Sequence, residues 1–323
     1  MIITKTPLRI SFFGGSTDYK SYYEKNGSLL IGTTIDQYMY TIFRFKPSLL
    51  SENSIISYKK REVVEDNEDI GHPLIRETLK YFDIKEKVDL TLYSDIPART
   101  GLGGSSCFCV SMVYAIRSKL GLLLDYELVA GDAISIERDV LGEPGGIQDQ
   151  IWPSHGGPGA LHITKNGRFV MTPISANPDF VDYLSDLMVL IYTDEQRNSG
   201  DVAKAHDDVG AEGIKKAIQD LATEALTAFA NADIQEVGRL LTESYEFKKS
   251  ISDKIETAQI KNILDIVKTN CYGYKLLGAG GGGFVLALCH PKQKDILKET
   301  FKNRVLDIRI EKHGIRDINA PQG

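Results

Sequence analysis

Apolar and polar positions recur with different periods along this chain, and the changes of period mark its elements. Residues 38–45 (YMYTIFRF) are rich in aromatic and β-branched side chains, and residues 88–93 (VDLTLY) alternate apolar with polar, as a half-buried strand does. Beyond residue 105 the spacing turns helical. Phe108, Met112, Val113, Ile116 and Leu120 predict a helix over 105–120, with Gly121 just past its end. Asp125 is placed to cap a second helix over 126–141, which Gly142 closes. Asn166-Gly167 between two strand-like runs predicts a hairpin, and residues 187–192 (LMVLIY) predict a strand. Three apolar stripes make most of 200–270 helical, and residues 274–288 (YKLLGAGGGGFVLAL) read as strand, glycine loop, strand.

The fold class is therefore α+β. A length of 323 residues suits two domains, with the division expected near residue 180, giving 1–180 and 181–323. Hydrophobic content of 42% and charged content of 25% describe a soluble globular chain. A net charge of −6 argues against a protein that holds nucleic acid by its backbone, but leaves room for a local basic pocket. The four cysteines have neither metal-site nor disulfide-framework spacing, so reduced thiols in a cytoplasmic protein are expected. The N-terminus lacks signal-peptide design and no run approaches a membrane span.

Five segments carry candidate chemistry. In 97-PARTGLGGSSCF-108, Gly101, Gly103 and Gly104 let the backbone approach a ligand, and a helix N-terminus follows. The loop suits an anion, yet the lysine of a G-x-x-x-x-G-K-[ST] loop is missing. A glycine turn that merely permits close helix packing fits this segment equally, and G-x-S-x-G of a serine hydrolase is absent. Glu137 shares the apolar face of helix 126–141, so it is either a buried partner for an arginine or a metal ligand suited to Mg²⁺. Asp149 in 142-GEPGGIQDQIW-152 is a candidate base or a turn aspartate. Arg9 lies in a strand-like run with Ser11 and Phe13 on its face, opposite Leu8, Ile10 and Phe12. After it, Gly14 and Gly15 expose Ser16, Thr17, Asp18 and Tyr19, a polar set suited to a polyhydroxylated ligand or an ordinary polar turn. The fifth segment, 278-GAGGGG-283, suggests close backbone approach or a flexible hairpin tip.

In this order and spacing, from residue 7 to about 284, the segments resemble the GHMP kinases. The resemblance implies a two-domain fold: an N-terminal domain like that of a ribosomal small-subunit protein and a ferredoxin-like C-terminal domain, with the active site between them. It implies ATP and Mg²⁺ as cofactors. Gly101, Leu102, Gly103, Gly104, Ser105 and Ser106 match the phosphate loop, with Gly280 and Gly281 of the third motif beside the phosphates. Ser105 and Glu137 match the metal ligands, Asp149 the catalytic aspartate, and Arg9 the cation near the attacking hydroxyl. Gly14, Gly15, Ser16, Asp18, Tyr19 and Gln148 fall where the sugar lies. Gly15-Ser16 departs from the Glu-His of galactokinases, which argues against galactose. GGSTDY, PARTGLG and GGIQDQ are most similar to the D-glycero-D-manno-heptose 7-phosphate 1-kinase branch, then to fucokinase-type enzymes.

The implied activity is ATP-dependent phosphorylation of an anomeric hydroxyl, in the making of nucleotide-activated heptose for surface polysaccharide. The alternatives are an anomeric kinase for an unphosphorylated sugar, or a sugar–nucleotide sensor on the same fold. An acceptor that already carries phosphate requires a cationic clamp, for which Arg197 is the candidate ahead of Lys5, Lys20 and Arg99. The expected partners are a small sugar phosphate and ATP, with no nucleic acid or membrane; a homo-oligomer is left open.

Overall fold

The computed structural model describes residues 1–47, 49, 53–175, 177–195 and 212–320. Two sheets organise it. In the larger, strand β1 (Ile2–Phe13) pairs antiparallel with the 18-residue β2 (Ser28–Phe45) along nearly its whole length. The far edge of β2 is shared. Its C-terminal half pairs with β5 (Val88–Ser94), and its N-terminal half with β6 (Gly159–Ile163), which continues to β7 (Phe169–Thr172). Short strands β3 (Ser54–Ser57) and β4 (Arg61–Val64) extend the sheet beyond β5. The second sheet holds four antiparallel strands in the order β11 (Val305–Asp307), β8 (Met188–Tyr192), β10 (Phe284–Leu288), β9 (Gly273–Leu276).

The periodicity-based expectations largely match these elements, with instructive exceptions. Helix α3 (Gly104–Lys119), which packs against α2 (Pro73–Tyr81), is where the apolar spacing puts it, and Gly121 takes φ +67°. The Asn166-Gly167 turn joins β6 to β7, with Gly167 at φ +78°. Strand β8 begins at Met188 because the preceding residues form an unforeseen helix, α6 (Pro178–Leu187), capped by the Asn177 side chain. The predicted helix 126–141 is two segments: α4 (Tyr126–Ile134), capped by Asp125, and a π-helical turn (Ser135–Val140). The wider turn rotates the chain out of the α-helical register, so Val140, expected on the apolar face, is 48% exposed while Glu137 is 1% exposed.

The expected division at residue 180 does not separate the sheets along the chain. Strands β12 (Ile310–Glu311) and β13 (Arg316–Asp317) return to pair with β2 and β1 of the larger sheet. The two halves also share one apolar core. Phe229, on α7 (Glu212–Ala230), packs its ring 5.9 Å from Phe12, 6.1 Å from Phe13 and 6.3 Å from Phe180. Met188 and Leu190 of β8 join that core, whereas Val189 and Ile191 face a second one with Tyr245 and Phe301. That explains why LMVLIY is apolar throughout: both faces of the strand are covered. Arg9, expected on the face opposite the core, is only 5% exposed, because the 101–103 loop and Asp149 pack over it. The four cysteines are free thiols, and among the described residues no helix is long and apolar enough to cross a membrane.

Candidate active site

The site forms where β1, the start of α3, the π turn and helix α5 (Gln148–His155) meet the 278–283 loop. Gly101 and Gly103 both take positive φ, +81° and +75°, which turns the chain into α3. The first bond of that helix runs from Cys107 N–H to Gly103 O (2.8 Å). The amides of Gly104, Ser105 and Ser106 precede it, at the positive end of a 16-residue helix. This is the geometry of an anion cradle rather than of a simple packing turn. Gly104 has nothing within 4 Å of where a Cβ would stand, so this stretch of the loop is open.

Arg9 ties the loop to the candidate base. Its Nη1 donates to Gly101 O (2.8 Å), while Nε (2.8 Å) and Nη2 (2.7 Å) both reach Asp149 Oδ1. Both contacts fall on one carboxylate oxygen. Oδ2 is left without a hydrogen bond among the described residues, and the Asp149 side chain is 27% exposed. Gly103 is required here, since a Cβ would come within 3.2 Å of Arg9 Cγ.

On the other side of Asp149, the N-terminal turn locks onto the 146–149 segment. Asp18 Oδ2 accepts from Gln148 N–H (3.1 Å) and Asp18 O accepts from Ile147 N–H (3.2 Å). Gly146 must be glycine, because a Cβ would stand 1.8 Å from Asp18 Oδ2. Asp18 is wholly buried; burial first, and the Asp149 charge second, push its carboxyl up to about 6. Gly14 (φ +78°) packs on Leu29 O, Ser16 adopts φ +80°, and Tyr19 stands just ahead of helix α1 (Lys20–Asn26). Arg138 holds the outer rim through Glu143 O and Gly146 O.

Behind Asp149 lies a third group. Gln150 Nε2 donates to Glu137 Oε2 (2.6 Å) and to Ser106 Oγ (3.2 Å), and all three residues are buried. Burial raises the Glu137 carboxyl, and Arg138, Ser106 and Gln150 oppose that shift. Ser105, expected as a metal ligand with Glu137, is exposed at the helix start, whereas Ser106 is the hydroxyl that Gln150 links to that carboxylate. Gly281 and Gly280, expected beside the phosphates, make contacts with the protein. The Gly281 N–H donates to Ile255 O (2.9 Å), and Gly280 abuts Ile255, so this pair braces the loop. Arg197 lies outside the described residues. Of the lesser clamp candidates, Lys5 sits over the Tyr38 ring, Lys20 is exposed beside Glu24, and Arg99 is exposed.

Residues 73–157 match the family of GHMP kinases N terminal domains, and residues 225–306 match GHMP kinases C terminal. The chain belongs to the GHMP kinases. A D-glycero-alpha-D-manno-heptose 7-phosphate kinase of Campylobacter jejuni is 29% identical over 98% of both chains. A bifunctional fucokinase/GDP-fucose pyrophosphorylase of Arabidopsis thaliana is 25% identical over 97% of this chain and 31% of its own length. A solved D-glycero-D-manno-heptose 1-phosphate kinase from Bacteroides thetaiotaomicron superposes with a TM-score of 0.80, at 24% identity over 98% of each chain. This GHMP kinase is a sugar kinase with ATP as phosphoryl donor.

Sequence reasoning missed four residues of this GHMP kinase's site region. Ser11 was placed on the Arg9 face but given no role, and Gln150 was passed over beside Asp149. Lys248 and Lys275 were also missed, although a lysine inside the apolar run YKLL, directly before GAGGGG, is a visible anomaly.

Proposed function

We propose that this sugar kinase transfers the γ-phosphoryl group of ATP to the anomeric hydroxyl of D-glycero-D-manno-heptose 7-phosphate, giving the 1,7-bisphosphate, within the synthesis of nucleotide-activated heptose for surface polysaccharide. The observation that carries a sugar reading is a group of buried polar atoms without protein partners: Asp18 Oδ1, Gln148 Oε1 and Ser11 Oγ. They belong to residues around Gly15 and next to Asp149, with Ser11 Oγ 3.5 Å and Gln148 Nε2 3.9 Å from a Cβ built on Gly15. Two of the three orphans accept hydrogen bonds and cannot donate while Asp18 is ionised, so a ligand with several hydroxyl donors satisfies them. The choice of a heptose phosphate rests on likeness over the full length to the Campylobacter jejuni kinase.

Asp149 Oδ2 accepts the proton of the acceptor hydroxyl while Arg9 holds Oδ1 and keeps the carboxylate oriented. The guanidinium then offsets charge on the moving phosphoryl group, and the amides of 104–106 hold the phosphates behind it. Mg²⁺ fits beside Glu137: the carboxylate is buried without an ion pair among the described residues, and Gln150 Oε1 is buried and unpaired. Glu137, with Ser106, would hold the ion, which when bound supplies positive charge to the β- and γ-phosphates. Arg197 is the proposed clamp for the acceptor's own phosphate.

A panel of sugars and sugar phosphates, assayed for ADP release with ATP and Mg²⁺ and for product by phosphorus NMR, tests this reading. Heptose 7-phosphate is expected to give the highest kcat/KM and an anomeric phosphate. Preference for fucose or another unphosphorylated sugar overturns the heptose assignment, and the absence of turnover with any sugar favours a sensor.

A further inference from the structure

Two lysines lie fully inside the seam between the glycine loops and the sheets. Lys248, on α8 (Ile234–Lys249), points its Nζ at Leu276 O (3.3 Å) and at Gly278 O, the first residue of the third glycine motif. Lys275, on β9, donates from Nζ to Phe12 O (2.7 Å) on β1, two residues before Gly14. They are 6% and 4% exposed, and among the described residues neither has a carboxylate partner. The charged groups that act on Lys248 are Lys275 and Arg9, and Arg9 acts on Lys275. Arg9 is itself bonded to Gly101 O, and Gly278 packs directly on Gly101. Three basic side chains thus lie close to the 101–106 loop, with Asp149 the carboxylate that pairs with Arg9.

Burying two ammonium groups without counter-charges is costly, and a pair of apolar side chains of the same length would fold more stably. Such an arrangement calls for a negative ligand to complete it. We propose that Lys248 and Lys275 replace the missing loop lysine: from behind the two glycine loops, without touching the nucleotide, they position the phosphate cradle and supply its positive field. The inference rests on residues 101–106 being the phosphate loop. Burial and the neighbouring Lys275 and Arg9 charges hold Lys248 well below the usual lysine range, and burial with Arg9 brings Lys275 down to about 7. Burial therefore disfavours the charged form of the Lys275 amine in the free protein. A polyphosphate bound across the loop favours the charged form, so nucleotide binding takes up a proton.

Calorimetry of Mg²⁺–ADP and of AMP at pH 8, in two buffers of different ionisation heat, tests this on the full chain. Wild type is expected to take up protons with ADP and few with AMP. Lys275→Met and Lys248→Met should each weaken ADP about tenfold, leave AMP nearly unchanged, and keep or raise Tm. Lys275→Arg should restore ADP affinity without proton uptake. Equal losses for ADP and AMP, or no proton uptake by wild type, overturn the proposal; the wild-type measurement stands even if a variant does not fold. Gly104→Asp separates the two levels, since its side chain has room. If it binds ADP like wild type, the loop assignment fails. If it loses ADP while both Met variants keep it, the lysine proposal alone fails.

Discussion

The two glycine-rich loops need their glycines for different reasons. The loop at 101–106 runs from a turn into a helix, and Gly104 faces open space. The loop at 278–283 runs from strand to strand, and its glycines are used up by protein contacts. A Cβ on Gly278 would stand 2.4 Å from Gly101 Cα, one on Gly282 2.5 Å from Glu195 O, and one on Gly283 2.3 Å from Thr100 O. The first loop leaves Gly104 open, as the proposed phosphate cradle requires, while the second presses against the first at Gly278 and Gly283. Glycine content alone does not distinguish a ligand loop from a bracing loop. Which atoms occupy the missing Cβ positions does.

The sharpest break between chemistry and scaffold is at Asp149. Asp149→Asn is expected to lower kcat by roughly 10²–10⁴ while ATP affinity stays close to wild type, as single-turnover kinetics and calorimetry would show. Near-normal turnover removes the base role. Next, Gly278→Ala should destabilise the fold by roughly 2–5 kcal/mol, from strain at φ +67° and the clash with Gly101, whereas Gly104→Ala should leave stability unchanged or up to about 1 kcal/mol higher. Chemical denaturation of both variants checks the contrast, and equal losses would erase the distinction between the loops.

Asp18 tests the sugar side. Its folded-state value of about 6 lies above the unfolded 3.8, so the native state binds the extra proton between those values. Stability from this group is present at low pH and declines as pH rises from about 4 to 6, leaving an ionised carboxylate that costs on the order of 3 kcal/mol above that window. Asp18→Asn should therefore raise Tm at pH 7.5, show little gain at pH 4, and raise the acceptor KM. A gain independent of pH would mean that the Asp18 carboxyl is not shifted between the unfolded and the native protein. The smallest expected effect compares the two serines. Ser106→Ala should raise the Mg²⁺ concentration for half-maximal rate about tenfold, and Ser105→Ala by less. The reverse order would return the metal to Ser105.

Much of this was legible along the chain. Periodicity placed α3, β5, β8 and the hairpin, because local burial of one face imposes a local repeat. The ordered motifs placed Arg9, Asp18, Glu137 and Asp149, because glycines and turn residues carry their backbone geometry with them. The π turn escaped because one residue of extra winding leaves no mark in an apolar stripe read at 3.6 per turn. The return of β12 and β13 to the first sheet escaped because short strands pair by tertiary position. By itself, then, the sequence indicated α3, β5, β8 and the hairpin and singled out Arg9, Asp18, Glu137 and Asp149 as candidates. Only the tertiary structure decided which serine meets Glu137, which oxygen of Asp149 stays free, and that Lys248 and Lys275 end beside Arg9. Those outcomes depend on contacts between residues far apart along the chain, where a side chain's role is set by what folds against it.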